Sequence, residues 1–218
     1  MDTKTIKISR DVIVSDEIDM VVEILRKNGV IVYPTETFYA LGGNGFSKEA
    51  VRKIYLLKKR ESQKPISVVI SDLPMLYRIV SEVPAFAQKM IRDFWPGPLT
   101  LIFKASEEVP EEIRGRKGTI GVRLTGYSWV RALVHRADFP ITATSANISG
   151  RREISDLRKA QELFGGVVDL IVDGGKTTGP LPSTVVDLSG RTPSLLREGA
   201  IPKARLSKYL PSLSEPTL

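Results

Sequence analysis

Short apolar runs and amphipathic stretches alternate along most of this 218-residue sequence, and the alternation restricts the fold more than any other feature. Runs such as VIVY at 30–33 and ISVVI at 66–70 are rich in β-branched residues, which predicts buried strands. Between them, KEAVRKIYLLKKR from Lys48 repeats apolar residues at helical spacing and predicts an amphipathic helix. Strands that alternate with helices predict an α/β domain with a twisted, mixed sheet.

The same two patterns assign the remaining elements. Further strands are predicted at TIKI (5–8), LTLIFK (99–104), TIGVRL (119–124), PITAT (140–144), VVDLIVD (167–173), STVVDL (183–188) and SLLRE (194–198). Further helices are predicted from residue 15 and at 74–80, 85–94, 128–137 and 155–164. We find no internal repeat and no interior linker, so we predict one domain over residues 1–205 and a short tail over 206–218.

The composition is that of a soluble globular protein, with 42% hydrophobic and 26% charged residues. No apolar run is long enough for a transmembrane helix, and the N-terminal residues lack the apolar segment of a secretory signal. We therefore expect a cytoplasmic protein without a membrane partner. The sequence has no cysteine and one histidine, His135, which excludes thiolate catalysis and disulfides and argues against a histidine-based zinc site.

The charge is moderately basic, with 32 Lys and Arg against 25 Asp and Glu, a formal charge of +7. Seven of the basic residues lie between Lys48 and Lys64, where only Glu49 and Glu61 oppose them. Such a concentration favours a polyanionic partner such as a nucleotide, pyrophosphate or RNA, although basic charge also serves solubility.

Two glycine-rich stretches fail as phosphate-binding motifs. GGKTTG at 174–179 has Leu170 where the Walker pattern requires its first glycine. In LGGNGF at 41–46, Gly43 and Gly45 match the first two glycines of the dinucleotide fingerprint, but the position of the third glycine is occupied by Lys48. Any ATP site in this chain is therefore not built on a common motif.

Five stretches place polar or basic residues just after a predicted strand or at the end of a helix, where open α/β sheets expose a ligand crevice. They are VYPTETFYALGG at 32–43, KKRESQKP at 58–65, TIGVRLTGY at 119–127, TATSANISG at 142–150 and STVVDLSGRTPSLLREGAI at 183–201. Simpler interpretations stay open for single residues. Lys59 is also explained by the helix dipole, Asn147 by a turn, and Arg123 by an edge exposed to solvent.

These stretches, together with PGPLT at 96–100, resemble the motifs of the YrdC-like family, and they occur in the same order over roughly residues 15–202. Characterised members of that family are threonylcarbamoyl-AMP synthases, and this chain resembles the single-domain form. The resemblance implies a twisted α/β sheet around a large, basic cavity. It also implies a nucleotidyltransferase that makes threonylcarbamoyl-AMP and pyrophosphate from L-threonine, bicarbonate or CO2, and ATP. A partner transferase would then move the threonylcarbamoyl group onto tRNA.

The resemblance also implies roles for particular residues. Catalytic positions fall on Lys58 and Arg60, which match a Lys-x-Arg element, and on Ser145 and Asn147, which match a Ser-x-Asn element. Positions for L-threonine fall on Thr35, Thr37, Arg123 and Thr144. Positions for ATP fall on Arg60, Lys64, Thr119, Ser145, Ser183 and Arg197. Mg²⁺ is expected on the phosphates of ATP rather than on a set of protein ligands, and the hydroxyls of Thr35 and Thr37 are expected to read the side chain of threonine.

Two features of the sequence bear on an alternative. Val69 stands where many family members have histidine, which removes one expected contact to threonine. A related branch, the YciO type, shares the fold, and the alternative is an RNA-binding protein for tRNA or double-stranded RNA with little or no synthase activity. The intact Ser145-Ala146-Asn147 element favours the synthase, because the other branch tends to lose it.

Overall fold

The computed structural model describes residues 2–9, 13–60, 65–115, 117–177 and 179–210. These residues form eleven strands and seven α-helices. The strands are β1 (Lys4–Lys7), β2 (Ile31–Tyr33), β3 (Ala40–Gly42), β4 (Val68–Ile70), β5 (Leu99–Lys104), β6 (Thr119–Leu124), β7 (Ile141–Thr142), β8 (Thr144–Ser145), β9 (Leu170–Asp173), β10 (Thr184–Asp187) and β11 (Ser194–Arg197). The helices are α1 (Ser15–Arg26), α2 (Lys48–Lys58), α3 (Leu73–Ile79), α4 (Ala85–Phe94), α5 (Ser128–Ala137), α6 (Leu157–Phe164) and α7 (Lys203–Leu206).

The strands form two sheets, and both sheets mix parallel and antiparallel pairs. The first sheet has the order β1-β9-β2-β3-β8, in which β1, β9 and β2 are parallel and β3 is antiparallel to both of its neighbours. The second sheet has the order β11-β10-β5-β6-β4-β7. The predicted α/β class with mixed pairing is confirmed, and the strands are divided between two sheets where the sequence suggested one.

The helices begin and end where local chemistry favours it. Ser47 accepts a hydrogen bond from the Ala50 amide at 3.1 Å and starts α2, and Asp72 does the same for Met75 at 2.9 Å in α3. Helix α2 ends at Lys59, which adopts the left-handed conformation with a φ of 49°. The apolar faces of the helices are buried: α1 packs against α5, while α3 and α5 pack against β4.

The segment from Ile141 to Ser145 connects the two sheets. β7 pairs with β4 in the second sheet, and two residues later β8 pairs with β3 in the first. Buried Thr142 stabilises this crossing, because its Oγ1 accepts a hydrogen bond from the Gly43 amide at 2.9 Å and donates one to the Leu41 carbonyl at 3.2 Å. The polar TATSAN stretch is thereby held at the junction of the sheets.

Residues 206–210, the described part of the stretch where the sequence suggested a tail, are packed against the domain. α7 is followed by a 3-10 helix (Ser207–Tyr209), and Leu206, Tyr209 and Leu210 are buried. The Tyr209 ring meets the Phe94 ring edge to face with 5.4 Å between centroids, and its hydroxyl donates a hydrogen bond to Asp93. Apolar residues in this short stretch therefore pack onto α4. No helix among the described residues combines the length and apolar character that crossing a membrane requires.

Candidate active site

A pocket lies where the two sheets meet, and its floor is one face of the second sheet. Side chains alternate between the two faces of a strand, so Ser67 and Val69 point to the same side, and Arg123 and Thr100 join them on β6 and β5. Gly121 lies between these side chains; a Cβ there would come within 2.7 Å of Ser67 Oγ. The missing side chain therefore keeps space open on the floor.

The opposite wall comes from the first sheet and its loops. The connection between β2 and β3 contributes Thr35 and Thr37, and the crossing segment contributes Thr144 and Ser145. Arg60, which follows α2, and Arg197, at the end of β11, also line the pocket. Two short antiparallel pairings, β2 with β3 and β3 with β8, place these loops side by side.

The two threonine hydroxyls of the loop from Pro34 to Tyr39 bond to each other, to the Phe38 carbonyl and to Arg123. Thr35 Oγ1 donates to the Phe38 carbonyl at 2.7 Å and lies 3.0 Å from Thr37 Oγ1. Since the Thr35 hydrogen is directed to Phe38, Thr37 is the donor of that second contact. Thr37 Oγ1 in turn accepts from Arg123 Nη1 at 3.2 Å. Both hydroxyl hydrogens are used inside the protein, so this arrangement gives no support to the prediction that they read a substrate side chain.

Arg123 is buried and its contacts are well defined. Nε donates to the Gly97 carbonyl at 3.1 Å, and Nη2 lies 2.8 Å from Glu36 Oε1 as an ion pair without hydrogen-bond alignment. Glu36 is itself held by Thr125 Oγ1 and by the Gly126 amide at 2.7 Å. Burial raises the pKa of the Glu36 carboxyl, but Arg123 and these hydrogen bonds outweigh it, and the net pKa lies below the ordinary value. Nη2 is buried and faces the Glu36 carboxylate, while the Arg123 side chain as a whole lines the pocket.

Lys58 lies behind the pocket wall rather than in it. Its ammonium group donates to the Ser145 carbonyl at 2.5 Å, to the Asn147 carbonyl at 3.0 Å and to Asn147 Oδ1 at 2.8 Å. Ser145 Oγ also donates to Asn147 Oδ1 at 2.8 Å. Burial, aided by the charge of Arg60, lowers the pKa of Lys58 to about 8, and Glu153 opposes this shift. All three ammonium hydrogens thus serve to hold the Ser145–Asn147 turn.

Arg60 and Arg197 bring two further positive charges to the pocket. Arg60 Nη2 donates to the Pro65 carbonyl at 2.9 Å. Arg197 donates from Nε and Nη2 to the Ser183 carbonyl at 3.0 and 2.9 Å, and from Nη2 to Ser183 Oγ at 3.1 Å. Burial lowers the pKa of both guanidinium groups from their ordinary value, a value so high that both stay charged at neutral pH.

Most of the residues predicted from the resemblance meet in this pocket. Those that line it are Thr35, Thr37, Arg60, Arg123, Thr144, Ser145, Ser183 and Arg197. Lys58 and Asn147 support it from behind. Thr119 is on the same face of β6 as Arg123, beyond Gly121, and is not among the described residues that line the pocket. Lys64 lies outside the described residues.

Several lining residues were not predicted. Ser67 and Thr100 lie in predicted strands. The alternation of side chains along a strand assigns each of them to one face of the sheet, but it does not show that this face lines the pocket. Glu36, which does not line the pocket but orients Arg123, belongs to a stretch that the sequence singled out, and its pairing with Arg123 crosses between the two sheets. Glu153, the acidic residue among the described lining residues, follows two arginines and gives no signal in the sequence.

The described residues contain no group of three or more His, Cys, Asp or Glu side chains arranged to hold a metal ion. A divalent ion in this pocket would therefore depend on ligands from a bound phosphate chain, as hard cations such as Mg²⁺ commonly do.

Three comparisons place the chain among known proteins. Residues 23–199 match a family model named for Sua5, YciO and YrdC, which carries the description "Telomere recombination". A threonylcarbamoyl-AMP synthase from Pyrococcus abyssi is 36% identical over 186 residues, which cover 85% of this chain and 55% of the relative. The chain therefore spans about half the length of that relative.

Two solved structures are similar in fold. A crystal structure of P. abyssi Sua5 complexed with L-threonine superposes with a TM-score of 0.91 at 34% identity, covering 95% of this chain and 61% of that one. The crystal structure of E. coli YciO gives a TM-score of 0.84 at 32% identity, covering 90% of this chain and 96% of that one.

Proposed function

Because this chain belongs to the Sua5/YciO/YrdC family, we propose that it is a threonylcarbamoyl-AMP synthase, a nucleotidyltransferase that uses L-threonine, bicarbonate or CO2, and ATP. In this reaction the ammonium group of threonine first loses a proton, and the resulting amine bonds to the carbon of CO2 and loses a second proton, which gives a carbamate. A carbamate oxygen then attacks the α-phosphorus of ATP, the bond to the β-phosphate breaks, and pyrophosphate leaves. The product is threonylcarbamoyl-AMP.

The main support is the convergence of three guanidinium groups on one pocket. Arg123 is buried and lines the pocket, and Arg60 and Arg197 line the same space. The reaction joins an amino acid carboxylate, a carbamate and a triphosphate, and these anions repel one another. A site for such a reaction has to neutralise them and hold them in a reactive geometry. The family relationship and the threonine complex of P. abyssi Sua5 agree with this interpretation.

The contacts suggest how the residues divide the work. Arg123 binds the carboxylate of threonine, and Thr37 and Glu36 fix the direction of its guanidinium group. Arg60 and Arg197 bind the phosphates, with Lys64 and Thr119 as further candidates for ATP. Ser145 and Thr144 face the reacting groups from the crossing segment, and Ser183 faces them from the start of β10.

Lys58 and Asn147 act through Ser145. Their hydrogen bonds fix the Ser145–Asn147 turn, so both are positioning residues in this proposal rather than groups that touch substrate. No protein nucleophile is required, because the amine and the carbamate of the substrate perform the two attacks. Mg²⁺ would bind with the phosphates of ATP and neutralise part of their charge.

The product implies a second protein. Threonylcarbamoyl-AMP is a mixed anhydride that loses its acyl group readily, so we propose that a transferase takes the threonylcarbamoyl group from it and delivers the group to tRNA. Direct contact between this chain and RNA is not part of the proposal. Whether the exposed basic residues bind RNA is measured in the same experiment as the synthase activity.

The deciding experiment measures pyrophosphate release by the purified protein. We expect release that requires L-threonine, bicarbonate and ATP together. Its kcat/KM should fall in both Arg60→Ala and Arg123→Ala, by about 30-fold or more in Arg123→Ala, where a buried charged contact is lost. Arg136→Ala is the matched control, because Arg136 pairs with Asp19 on α1 and does not line the pocket. No release with all three substrates, together with tight binding of double-stranded RNA, would instead support the RNA-binding alternative.

A further inference from the structure

Arg123 has two different neighbours on the floor of the pocket. β4 and β6 are parallel with Val69 opposite Arg123, so the two side chains stand next to each other on one face. On the other side, Leu101 of β5 is opposite Val122, which places Thr100 and Arg123 together on the pocket face. All three residues line the pocket. A ligand held by Arg123 therefore lies between an isopropyl group and a hydroxyl group.

The Val69 side is apolar. Val69 is only 1% exposed, and its side chain has no atom that forms a hydrogen bond. Ala40 and Ala143 line the same pocket and are small and apolar too. Val69 itself offers no partner to a hydroxyl group placed against it, whereas a methyl group would be buried favourably there.

The Thr100 side is polar and has an unused hydrogen. Thr100 Oγ1 and Ser183 Oγ are 2.9 Å apart, and both side chains are buried. Ser183 Oγ also accepts from Arg197 Nη2 at 3.1 Å. Two hydroxyls have two hydrogens, and their mutual contact uses only one of them. The other has no acceptor among the described residues. It belongs to Thr100 when Ser183 is the donor of their contact, and Thr100 can then donate it to an oxygen of a ligand.

We propose that Val69 and Thr100 sort the two substituents on the β-carbon of the amino acid, with the methyl group toward Val69 and the hydroxyl toward Thr100. This inference rests on the proposed function, because it takes Arg123 as the anchor of the substrate carboxylate. With the carboxylate fixed by Arg123, only one configuration at the β-carbon places the methyl group against Val69 and the hydroxyl group against Thr100. The pocket then selects L-threonine against serine, valine and L-allo-threonine for three separate reasons.

The size of each preference follows from the kind of contact. Serine lacks the methyl group, and one methyl in an apolar site changes kcat/KM by about 10- to 200-fold. Valine lacks the hydroxyl, and a site that hydrogen-bonds a substrate hydroxyl rejects the analogue without it by about 10⁴-fold or more. L-allo-threonine has both groups interchanged, so we expect it to be rejected at least as strongly as serine.

The test measures kcat/KM for pyrophosphate release with the four amino acids in two variants. In Val69→Ala we expect the preference for threonine over serine to fall by about 10-fold, with the preference over valine retained. In Thr100→Val we expect the preference over valine to fall by about 100-fold or more, with the preference over serine retained. Thr100→Ser keeps the hydroxyl and is expected to restore rejection of valine. Val69→Thr, which keeps the shape, serves in place of Val69→Ala if that variant unfolds.

The outcomes separate this inference from the proposed function. No pyrophosphate from the wild-type protein with any of the four amino acids contradicts the proposed function, and the inference with it. Activity with threonine, but with selectivity ratios unchanged in both variants, overturns the inference alone. An equal loss for all four amino acids, accompanied by a higher KM for ATP, also overturns it, because Val69 and Thr100 would then only support the floor.

Discussion

Lys58 is a buried ammonium group that neutral hydrogen-bond acceptors surround. It is 1% exposed and donates to two carbonyl groups and one amide oxygen, so its charge is solvated by dipoles rather than by a carboxylate. Removing an ammonium group from water is costly, and its pKa of about 8 expresses that cost. The protein retains the charge because it fixes the turn that holds Ser145.

The depressed pKa of Lys58 predicts how stability depends on pH. In the unfolded chain this lysine titrates near 10.5, and in the folded chain near 8. Between these values the unfolded chain binds more protons, so the free energy of unfolding rises with pH, by at most about 1.4 kcal/mol per pH unit. Below about pH 8 the group is protonated in both states, and its contribution no longer varies with pH.

Denaturant unfolding of the wild type and of Lys58→Met between about pH 7 and pH 10 measures this contribution. Other groups titrate in the same range, so the quantity of interest is the difference between the two proteins. We expect that difference to increase in favour of the wild type as the pH rises above about 8. Parallel pH profiles for the two proteins would show that burial does not depress the pKa of Lys58.

Single residues also show what a sequence pattern leaves undetermined. The apolar residues of α2 include Leu57, which is only partly buried, whereas the next residue, the charged Lys58, is almost fully buried. The resemblance identified both Lys58 and Asn147, but it gave no indication that they bond to each other behind the wall. Such partners come from α2 and from the segment after β8, which are distant in sequence, so local spacing contains no information about them.

At the scale of elements, the hairpin of β10 and β11 positions Arg197. The residues that follow β11 pass very close to the residues that precede β10. A Cβ on Gly199 would be 2.3 Å from the Pro182 carbonyl oxygen and 2.7 Å from the Ser183 carbonyl carbon. The Gly199 amide also donates to Thr184 Oγ1 at 3.0 Å. Glycine is needed here for close approach of two backbones, which is what lets Arg197 reach the Ser183 carbonyl.

We expect Gly199→Ala to destabilise the protein by about 1–3 kcal/mol, because backbone atoms cannot move aside as a flexible side chain can. In a protein of this size that lowers Tm by about 2–4 °C for each kcal/mol. The KM for ATP should rise as well, since Arg197 moves with the strand. Gly190→Ala, in the connection between the same strands, is the control, because its nearest atom would be the Thr192 carbonyl oxygen at an ordinary 3.8 Å. Equal melting temperatures for the two variants would refute the steric argument.

The elements that the sequence predicted well are those with long, regular patterns, such as α1, β5 and β6. β3 and β8 were not recognised as separate strands, because three and two residues are too few to show alternation. These two strands are what join the loop after β2 to the crossing segment. The division into two sheets also follows from them, since PITAT was predicted as one strand but is shared between the sheets.

At the scale of the whole molecule, the pocket exists only because the two sheets meet. The second sheet contributes Arg123, Thr100 and Val69, while the loops and strands of the first contribute Thr37 and Ser145. The five polar stretches of the sequence are far apart along the chain, and the topology collects them at this junction. The sequence predicted that they would share a crevice, but not that two sheets would form it.

The charge of the molecule, +7 overall, should make ATP binding sensitive to salt. Arg60 is partly buried and Arg197 is exposed. Dissolved ions screen such charges over about 10 Å at 0.1 M and about 3 Å at 1 M ionic strength. ATP carries several negative charges, whereas threonine is a zwitterion with no net charge. We expect the KM for ATP to rise by about 10-fold or more between about 0.05 and 0.5 M KCl, while the KM for threonine changes by less than about 2-fold.

Arg197→Gln isolates the contribution of one charge, since it keeps a hydrogen-bond donor but removes the charge. Its KM for ATP should be higher than that of the wild type at low salt and should rise less steeply with salt, so that the two curves converge. Arg136→Gln is the matched control, because Arg136 is exposed, is paired with Asp19 and lies away from the pocket. A KM for ATP that does not change with salt, or an equal rise for threonine and ATP, would mean that Arg60 and Arg197 do not bind the phosphates.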